Sequence, residues 1–151
     1  IVGLGEAARI ACEEITEESR RVRRLRDRLW QGIQPMGDVH LNGHAEQRAP
    51  GNLNVRFAGV EGESLLISLK DLAISSGSAC ASASLDPSHV LQGIGVPHQL
   101  ALRALRFSPG RYTTEQDIDF AIDGIRQAVG RLRGEFRGGS GGAAAGVRET
   151  S

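Results

Sequence analysis

Residues 6–33 carry the pattern that most restricts what this chain can fold into. Apolar side chains recur there every three or four positions, as along one face of an α-helix: Ala8, Ala11, Ile15, Val22, Leu25, Leu29 and Ile33. A helix of roughly thirty residues is longer than most helices in globular proteins. The pattern therefore predicts a helix that links two domains. Because the sequence starts at Ile1 and not at Met, we expect it to be part of a longer protein.

Short alternating segments after this helix predict β-strands. Residues 52–57 alternate between apolar and polar side chains, which is typical of a half-buried strand. Residues 104–108 alternate in the same way and place Arg106 on the polar side. Residues 39–41 and 72–75 are shorter strand candidates.

The other regular segments are predicted to be helical. We expect helices over residues 61–71, from Pro87 to residue 95 and over residues 99–103. The last helix is the clearest, because Thr113 and Gln116 resemble a capping box at its start. Its apolar stripe is formed by Ile118, Ala121, Ile122, Ile125, Val129 and Leu132. Short strands separated by helices indicate the α/β class.

Composition narrows the classes of function. The formal net charge is zero, so no bulk field attracts the chain to nucleic acid or to a membrane surface. No apolar run approaches the roughly 18 residues that a membrane span needs. Two cysteines, Cys12 and Cys80, make no disulfide framework, which favours a cytoplasmic protein. Lys70 is the single lysine and thus the one candidate for lysine chemistry.

Four patterns favour a structural interpretation. Residues 3–8 match G-x-G-x-x-A, but no strand precedes them, so the start of a helix is favoured. The arginine-rich residues 20–28 share their helix with acidic residues and predict a solvated, salt-bridged face. The four histidines show no metal-ligand spacing. Cys12 lies next to the apolar stripe and is predicted to be a small packing residue.

Cys80 has a different setting. It lies in Ser75–Ser84, ten residues that are all Ser, Gly, Ala or Cys and that offer almost no apolar surface to bury. A thiol in such a loop is accessible, and access together with thiolate character decides the reactivity of a cysteine. The loop therefore favours a reactive role for Cys80. Arg106 has the planar fork that suits a carboxylate, although by itself a surface salt bridge is the favoured interpretation.

Two segments together resemble one known family. "EGESLLISLKDLAISSGSACASASLDPSHVL" followed by "LRFSPGRYTTEQDID" is similar to the C-terminal part of NifS/IscS-like cysteine desulfurases. The similarity runs from Ile1 to about Arg133. It implies the small C-terminal domain of the pyridoxal-phosphate aminotransferase fold type I. The long Ser/Gly-rich form of the loop is similar to that of the iron–sulfur-assembly branch.

This resemblance implies a chemistry and a set of partners. Pyridoxal phosphate would activate L-cysteine, and a thiolate on a mobile loop would take its sulfur as a persulfide and release alanine. Cys80 matches that nucleophile and Arg106 matches the arginine that holds the substrate carboxylate. The persulfide would pass to an iron–sulfur scaffold or another sulfur acceptor, and Cys80 is a candidate transient iron–sulfur ligand shared with that scaffold. The complete enzyme is expected to be a cytoplasmic homodimer.

The sequence departs from the family in two places. The lysine that holds the cofactor lies upstream of Ile1 in the family, and Lys70, expected in a helix, matches nothing in the cofactor pocket. The chain is therefore divided into a linking helix (residues 1–35), a small domain (36–135) whose cysteine loop spans 75–85, and a disordered tail (136–151). That tail does not match the family's scaffold-docking segment.

Three functions remain open on the sequence alone. The favoured one is the C-terminal part of a cysteine desulfurase, which would be inactive without the cofactor domain. The second is a persulfide carrier or a non-catalytic partner module. The third is a selenocysteine lyase, which shares the fold.

Overall fold

The computed structural model describes residues 1–76 and 88–138, with side chains up to residue 134. The helices are α1 (Val2–Ile33), α2 (Gly62–Ser68), α3 (His89–Gly93), α4 (His98–Ala101) and α5 (Glu115–Gly138), and a single 3₁₀ turn (Gln34–Met36) follows α1. The strands are β1 (Val39–Leu41), β2 (Leu53–Phe57), β3 (Ser75–Ser76) and β4 (Ala104–Phe107). None of the described helices is long and apolar enough to cross a membrane.

The strands form one antiparallel sheet in the order β1-β2-β4-β3. Helices α1 and α5 cover one face of this sheet, and the main hydrophobic core lies between them and the strands. The side chains that are at most 1% exposed in this core are Ile33, Val55, Phe57, Leu65, Leu105, Ile125 and Ala128. A smaller cluster joins α3 and α4 to the start of β4 through Leu91, Ala101 and Ala104. The α/β class is confirmed.

The strand predictions at residues 39–41, 52–57 and 104–108 are confirmed. The prediction for residues 72–75 is wrong in position, because β3 comprises only Ser75 and Ser76. Leu72 and Ile74 donate their backbone N–H groups to the nearby carbonyls of Leu69 and Leu72. These local bonds make a turn, and pairing with β4 begins only at Ser75.

The predicted helices are all present, with different bounds. Helix α2 ends at Ser68 and not at residue 71, because the N–H of Leu69 turns back to the carbonyls of Leu65 and Leu66. Helix α3 begins at His89, and the predicted start at Pro87 lies outside the described residues. Helix α5 continues to Gly138, and the rest of the predicted disordered tail is not described either.

The cap of α5 differs from the prediction by one residue. Thr114 and Asp117 form the capping box: the Asp117 carboxylate accepts from the Thr114 N–H at 2.8 Å, and Thr114 Oγ1 accepts from the Asp117 N–H at 3.2 Å. The hydrogen bonds that the Asp117 carboxylate accepts from the N–H and the hydroxyl of Thr114 hold the pKa of Asp117 below its ordinary value. Thr113 Oγ1 instead accepts from the N–H of Gly110 at 2.9 Å, inside the preceding loop. The predicted apolar stripe of α5 is confirmed, from buried Ile118 to half-buried Leu132.

Helix α1 is covered over its C-terminal half only. Its buried apolar residues begin at Val22, whereas Ala8, Ala11 and Ile15 of the predicted stripe are exposed. Cys12 is exposed as well, so its prediction as a packing residue is wrong. No described part of the chain covers the helix at that point, and therefore the apolar spacing alone does not bury it.

The arginine-rich segment of α1 is only partly a solvated face. Arg28 does pair with Asp119 of α5 at 2.8 Å, which raises the pKa of Arg28 and lowers that of Asp119. Arg26 departs from the prediction, because its side chain is 6% exposed and donates to Asp27 of its own helix at 2.6 Å. Its Nη1 has no partner among the described residues. Arg21 is half-buried and reaches the loop after β4.

Candidate active site

The sheet has a second face that α1 and α5 do not cover. Side chains alternate across a strand, so the residues between the core positions of β2 and β4 point away from α1 and α5. We call this surface the open face and define it by His40, Asn42, Asn54, Arg56, Ser75 and Arg106. Among these six residues only Asn42 is buried.

Arg106 lies near the middle of the open face. In the strand register it pairs with Asn54 of β2 on one side and with Ser75 of β3 on the other. Its side chain is half-buried and makes no hydrogen bond or ion pair with any described residue. A guanidinium without a partner among the described residues is available to a carboxylate, which it can bind through two parallel hydrogen bonds.

Cys80, the predicted nucleophile, lies outside the described residues. Its place in the sequence still limits its distance from Arg106. Cys80 is five residues after Ser75, and five extended residues span at most about 18 Å between their Cα atoms. Since Ser75 pairs directly with Arg106, the thiol is tethered to the strand next to this arginine. Both residues were predicted from the sequence, but the pairing of Arg106 with Ser75, five residues before Cys80, was not.

Asn42 forms a hydrogen-bonded group that sequence analysis missed. It is 4% exposed, and its Nδ2 donates to Asn54 Oδ1 at 2.7 Å. Its Oδ1 accepts from Arg56 Nη1, and its backbone carbonyl accepts from Arg48 Nη2 at 2.8 Å. Burial lowers the pKa of Arg48, which faces the like charge of Arg26. The alternation of β2 placed Asn54 and Arg56 on one face, but no sequence signal connected them to Asn42.

The loop after β4 is fastened to α1. Arg21 donates to the carbonyls of Thr113 at 2.8 Å and Gly110 at 3.0 Å. Arg111 in the same loop forms ion pairs with Glu14 and Glu18 of α1, with N–O distances of 2.8 Å each. The hydrogen bond to Glu18 raises the pKa of Arg111. These contacts join residues about ninety positions apart, so the sequence offers no local pattern for them. They fix the chain that follows the strand of Arg106.

The described residues do not fit a site for pyridoxal phosphate. That cofactor is held through a lysine amine, and Lys70 is exposed in the turn that follows α2, not in a helix as expected. Likewise, the described residues contain no cluster of His, Cys, Asp and Glu that could hold a metal ion. What the open face does offer to an acidic group is Arg106, a cation that no described residue pairs with.

The family model for aminotransferase class V matches residues 1–120. This chain belongs to the aminotransferase class-V family. Among curated class-V relatives, the cysteine desulfurase IscS of Aeromonas hydrophila is 60% identical over 133 residues, which cover 88% of this chain and 33% of the relative. The cysteine desulfurase IscS of Klebsiella pneumoniae has the same identity and coverage. This class-V chain thus spans about one third of the length of the curated relatives it matches.

Solved structures agree with the family assignment. A NifS-like protein superimposes with a TM-score of 0.72 at 29% identity, over 86% of this chain and 33% of that one. DndA from Streptomyces lividans superimposes with a TM-score of 0.51 at 36% identity, over 70% of this chain and 30% of that one. The predicted resemblance to NifS/IscS-like proteins is confirmed, and so is the predicted fold of this class-V chain.

Proposed function

We propose that this chain is the C-terminal part of a cysteine desulfurase, which converts L-cysteine to L-alanine and keeps the sulfur as a persulfide on Cys80. The observation that carries this proposal is the guanidinium of Arg106, which has no partner among the described residues and lies in register with the strand that leads to Cys80. The identity to IscS cysteine desulfurases supports it over most of the chain.

In this proposal Arg106 binds the α-carboxylate of L-cysteine and so fixes the orientation of the substrate. The Cys80 thiolate attacks the substrate sulfur, a new S–S bond forms on Cys80, and the carbon–sulfur bond of the substrate breaks. The carbon skeleton leaves as alanine after protonation. Pyridoxal phosphate, which the family uses for such reactions, is assigned to a part of the protein that this chain does not contain.

The proposed domain organisation follows from the same assignment. Residues 1–35 link the small domain to a cofactor domain, and residues 36–135 form the small domain; of the predicted tail 136–151, the first three residues belong to α5. The complete protein would be a cytoplasmic homodimer that passes its persulfide to an iron–sulfur scaffold or another acceptor. Without the cofactor domain this chain is expected to release no alanine.

Cys80→Ser in the complete protein is the experiment that tests this function. We expect persulfide formation to be abolished while the cofactor spectrum is unchanged, because a serine hydroxyl is almost wholly protonated and far less nucleophilic than a thiol. The measurements are alanine release and trapped persulfide. Cys12→Ser is the matched control and should keep turnover near wild type, since Cys12 lies on an exposed part of α1.

Three results would change this assignment. Normal turnover of Cys80→Ser, or loss of turnover in Cys12→Ser with the fold intact, would exclude Cys80 as the nucleophile. A wild-type protein that accepts a persulfide from a donor but never releases alanine would favour the persulfide carrier. Faster turnover of L-selenocysteine than of L-cysteine would favour the selenocysteine lyase.

A further inference from the structure

Asn54 is one of the two direct cross-strand neighbours of Arg106 on the open face, and Ser75 is the other. Asn54 in β2 lies directly opposite Arg106 in β4, and side chains at such positions start about 5 Å apart. Both side chains are half-buried, so a small ligand can reach them. What Asn54 offers to that ligand depends on which end of its amide is already used.

A chain of hydrogen bonds settles the orientation of the Asn54 amide. Arg56 can only donate, so the atom of Asn42 that faces Arg56 Nη1 must be the acceptor Oδ1. The other end of the Asn42 amide is then the donor Nδ2, and it meets Asn54 Oδ1 at 2.7 Å. With its oxygen engaged, Asn54 keeps its Nδ2 group, which makes no hydrogen bond to the described residues.

The orientation of the Asn42 amide, with its oxygen toward Arg56 and its nitrogen toward Asn54, is fixed by its surroundings. Asn42 is buried, its backbone N–H donates to the carbonyl of Asn54 at 2.9 Å, and its own carbonyl accepts from Arg48. Reversing the Asn42 amide would direct its NH₂ group at the guanidinium of Arg56. It would also leave buried polar atoms without partners, which is costly. Arg56 therefore sets the orientation of Asn54 through Asn42.

We propose that Asn54 is a second donor for the substrate α-carboxylate, beside Arg106, and that Asn42 and Arg56 are positioning residues for it. The inference rests on the proposed function for the identity of the substrate. A carboxylate has two oxygens and can accept from the guanidinium and the amide together. The pair would then favour amino acids over amines that lack a carboxylate.

Asn54→Asp in the complete holoenzyme is the first test. The variant keeps an oxygen for Asn42, so the buried network remains, but its charged second oxygen faces the ligand and can pair with Arg106. It therefore affects both proposed donors, and Asn42→Asp, which places no charge beside Arg106, separates the contribution of Asn54. We expect the KM for L-cysteine and the Kd for L-alanine to rise together by about tenfold to a hundredfold, the range for a hydrogen bond to a charged group. The Kd for cysteamine, which has no carboxylate, should not rise.

Asn42→Asp tests the positioning step. It still accepts from Arg56 but cannot donate to Asn54, so the Asn54 amide should turn over and present its oxygen to the substrate. We expect a rise in KM in the same direction, with kcat changed by less than about threefold. The matched control is Gln127→Glu, the same amide-to-carboxylate change at an exposed position of α5, which should change KM by less than about twofold.

Each outcome decides the inference. A Kd for L-alanine within about twofold of wild type in Asn54→Asp would overturn it. An equal loss of cysteamine binding would also overturn it, because that result would indicate a distorted sheet. A wild-type protein that binds no L-alanine would overturn it as well. If wild type binds L-alanine but releases none from L-cysteine, the proposed function fails, while the binding comparison still decides the role of Asn54.

Discussion

The two faces of the sheet are formed by alternate residues of the same strands, and they differ in burial and in role. On the face toward α1 and α5, Val55, Leu105 and Phe107 are at most 3% exposed. On the open face, Asn54 and Arg106 are half-buried and polar. Two adjacent residues of β4 thus have different roles: Leu105 packs in the core, and Arg106 can bind a ligand. Stability and binding should therefore respond separately to substitution.

Leu105→Ala should have the largest effect on stability. Leu105 is fully buried, and removing it leaves a cavity in the core, so the free energy of unfolding should fall by about 2–5 kcal/mol. Arg106→Ala, the next residue on the other face, should change it by less than about 1 kcal/mol, because Arg106 makes no bond within the described residues. Urea unfolding of both variants measures this. Equal losses would contradict the division between the two faces.

Gly51→Ala should have a smaller effect, at the end of the sheet where β2 begins. A Cβ there would overlap the carbonyl oxygen of Pro109 and lie 3.0 Å from Val22 Cγ1. Since the closest atom is backbone, the loop after β4 must move, at a cost of about 1–3 kcal/mol. Gly110→Ala in the same loop meets no atom within 4 Å and serves as the control. A neutral Gly51→Ala in thermal unfolding would show that this loop is not held as described.

Thr114→Ala should have the smallest of these effects. Loss of the capping hydroxyl of α5 should lower the free energy of unfolding by about 1 kcal/mol. The control is Gln116→Ala, because the sequence favoured Gln116 as the capping partner and the structure shows Asp117 in that role. Denaturant titration of the two variants distinguishes the alternatives. A larger loss in Gln116→Ala would restore the sequence-based capping box.

What the sequence predicts well is what depends on periodicity. The alternation in 52–57 and 104–108 places Arg106 on the open face, and the stripe of α5 places Ile125 in the core. Contacts between distant positions have no such signature. The hydrogen bonds from Arg21 to the loop after β4 and from Asn42 to Asn54 arise only when the elements meet.

Helix α1 shows the limit of periodicity more directly. One spacing runs along its whole length, yet Ile15 is 60% exposed while Leu29 is 2% exposed. The pattern states which side of a helix is apolar, but burial also needs a neighbour to cover that side. Cys12 was misplaced for this reason, because no described residue covers it.

The central claim is that the open face binds the substrate carboxylate through Arg106. The most direct measurement is kcat/KM for L-cysteine in Arg106→Ala, made on the complete protein together with its unfolding midpoint. The account predicts a fall of roughly thirtyfold to a hundredfold, from the loss of a charge-assisted hydrogen bond, with an unchanged midpoint. An unchanged kcat/KM would contradict it and remove Arg106 from the site.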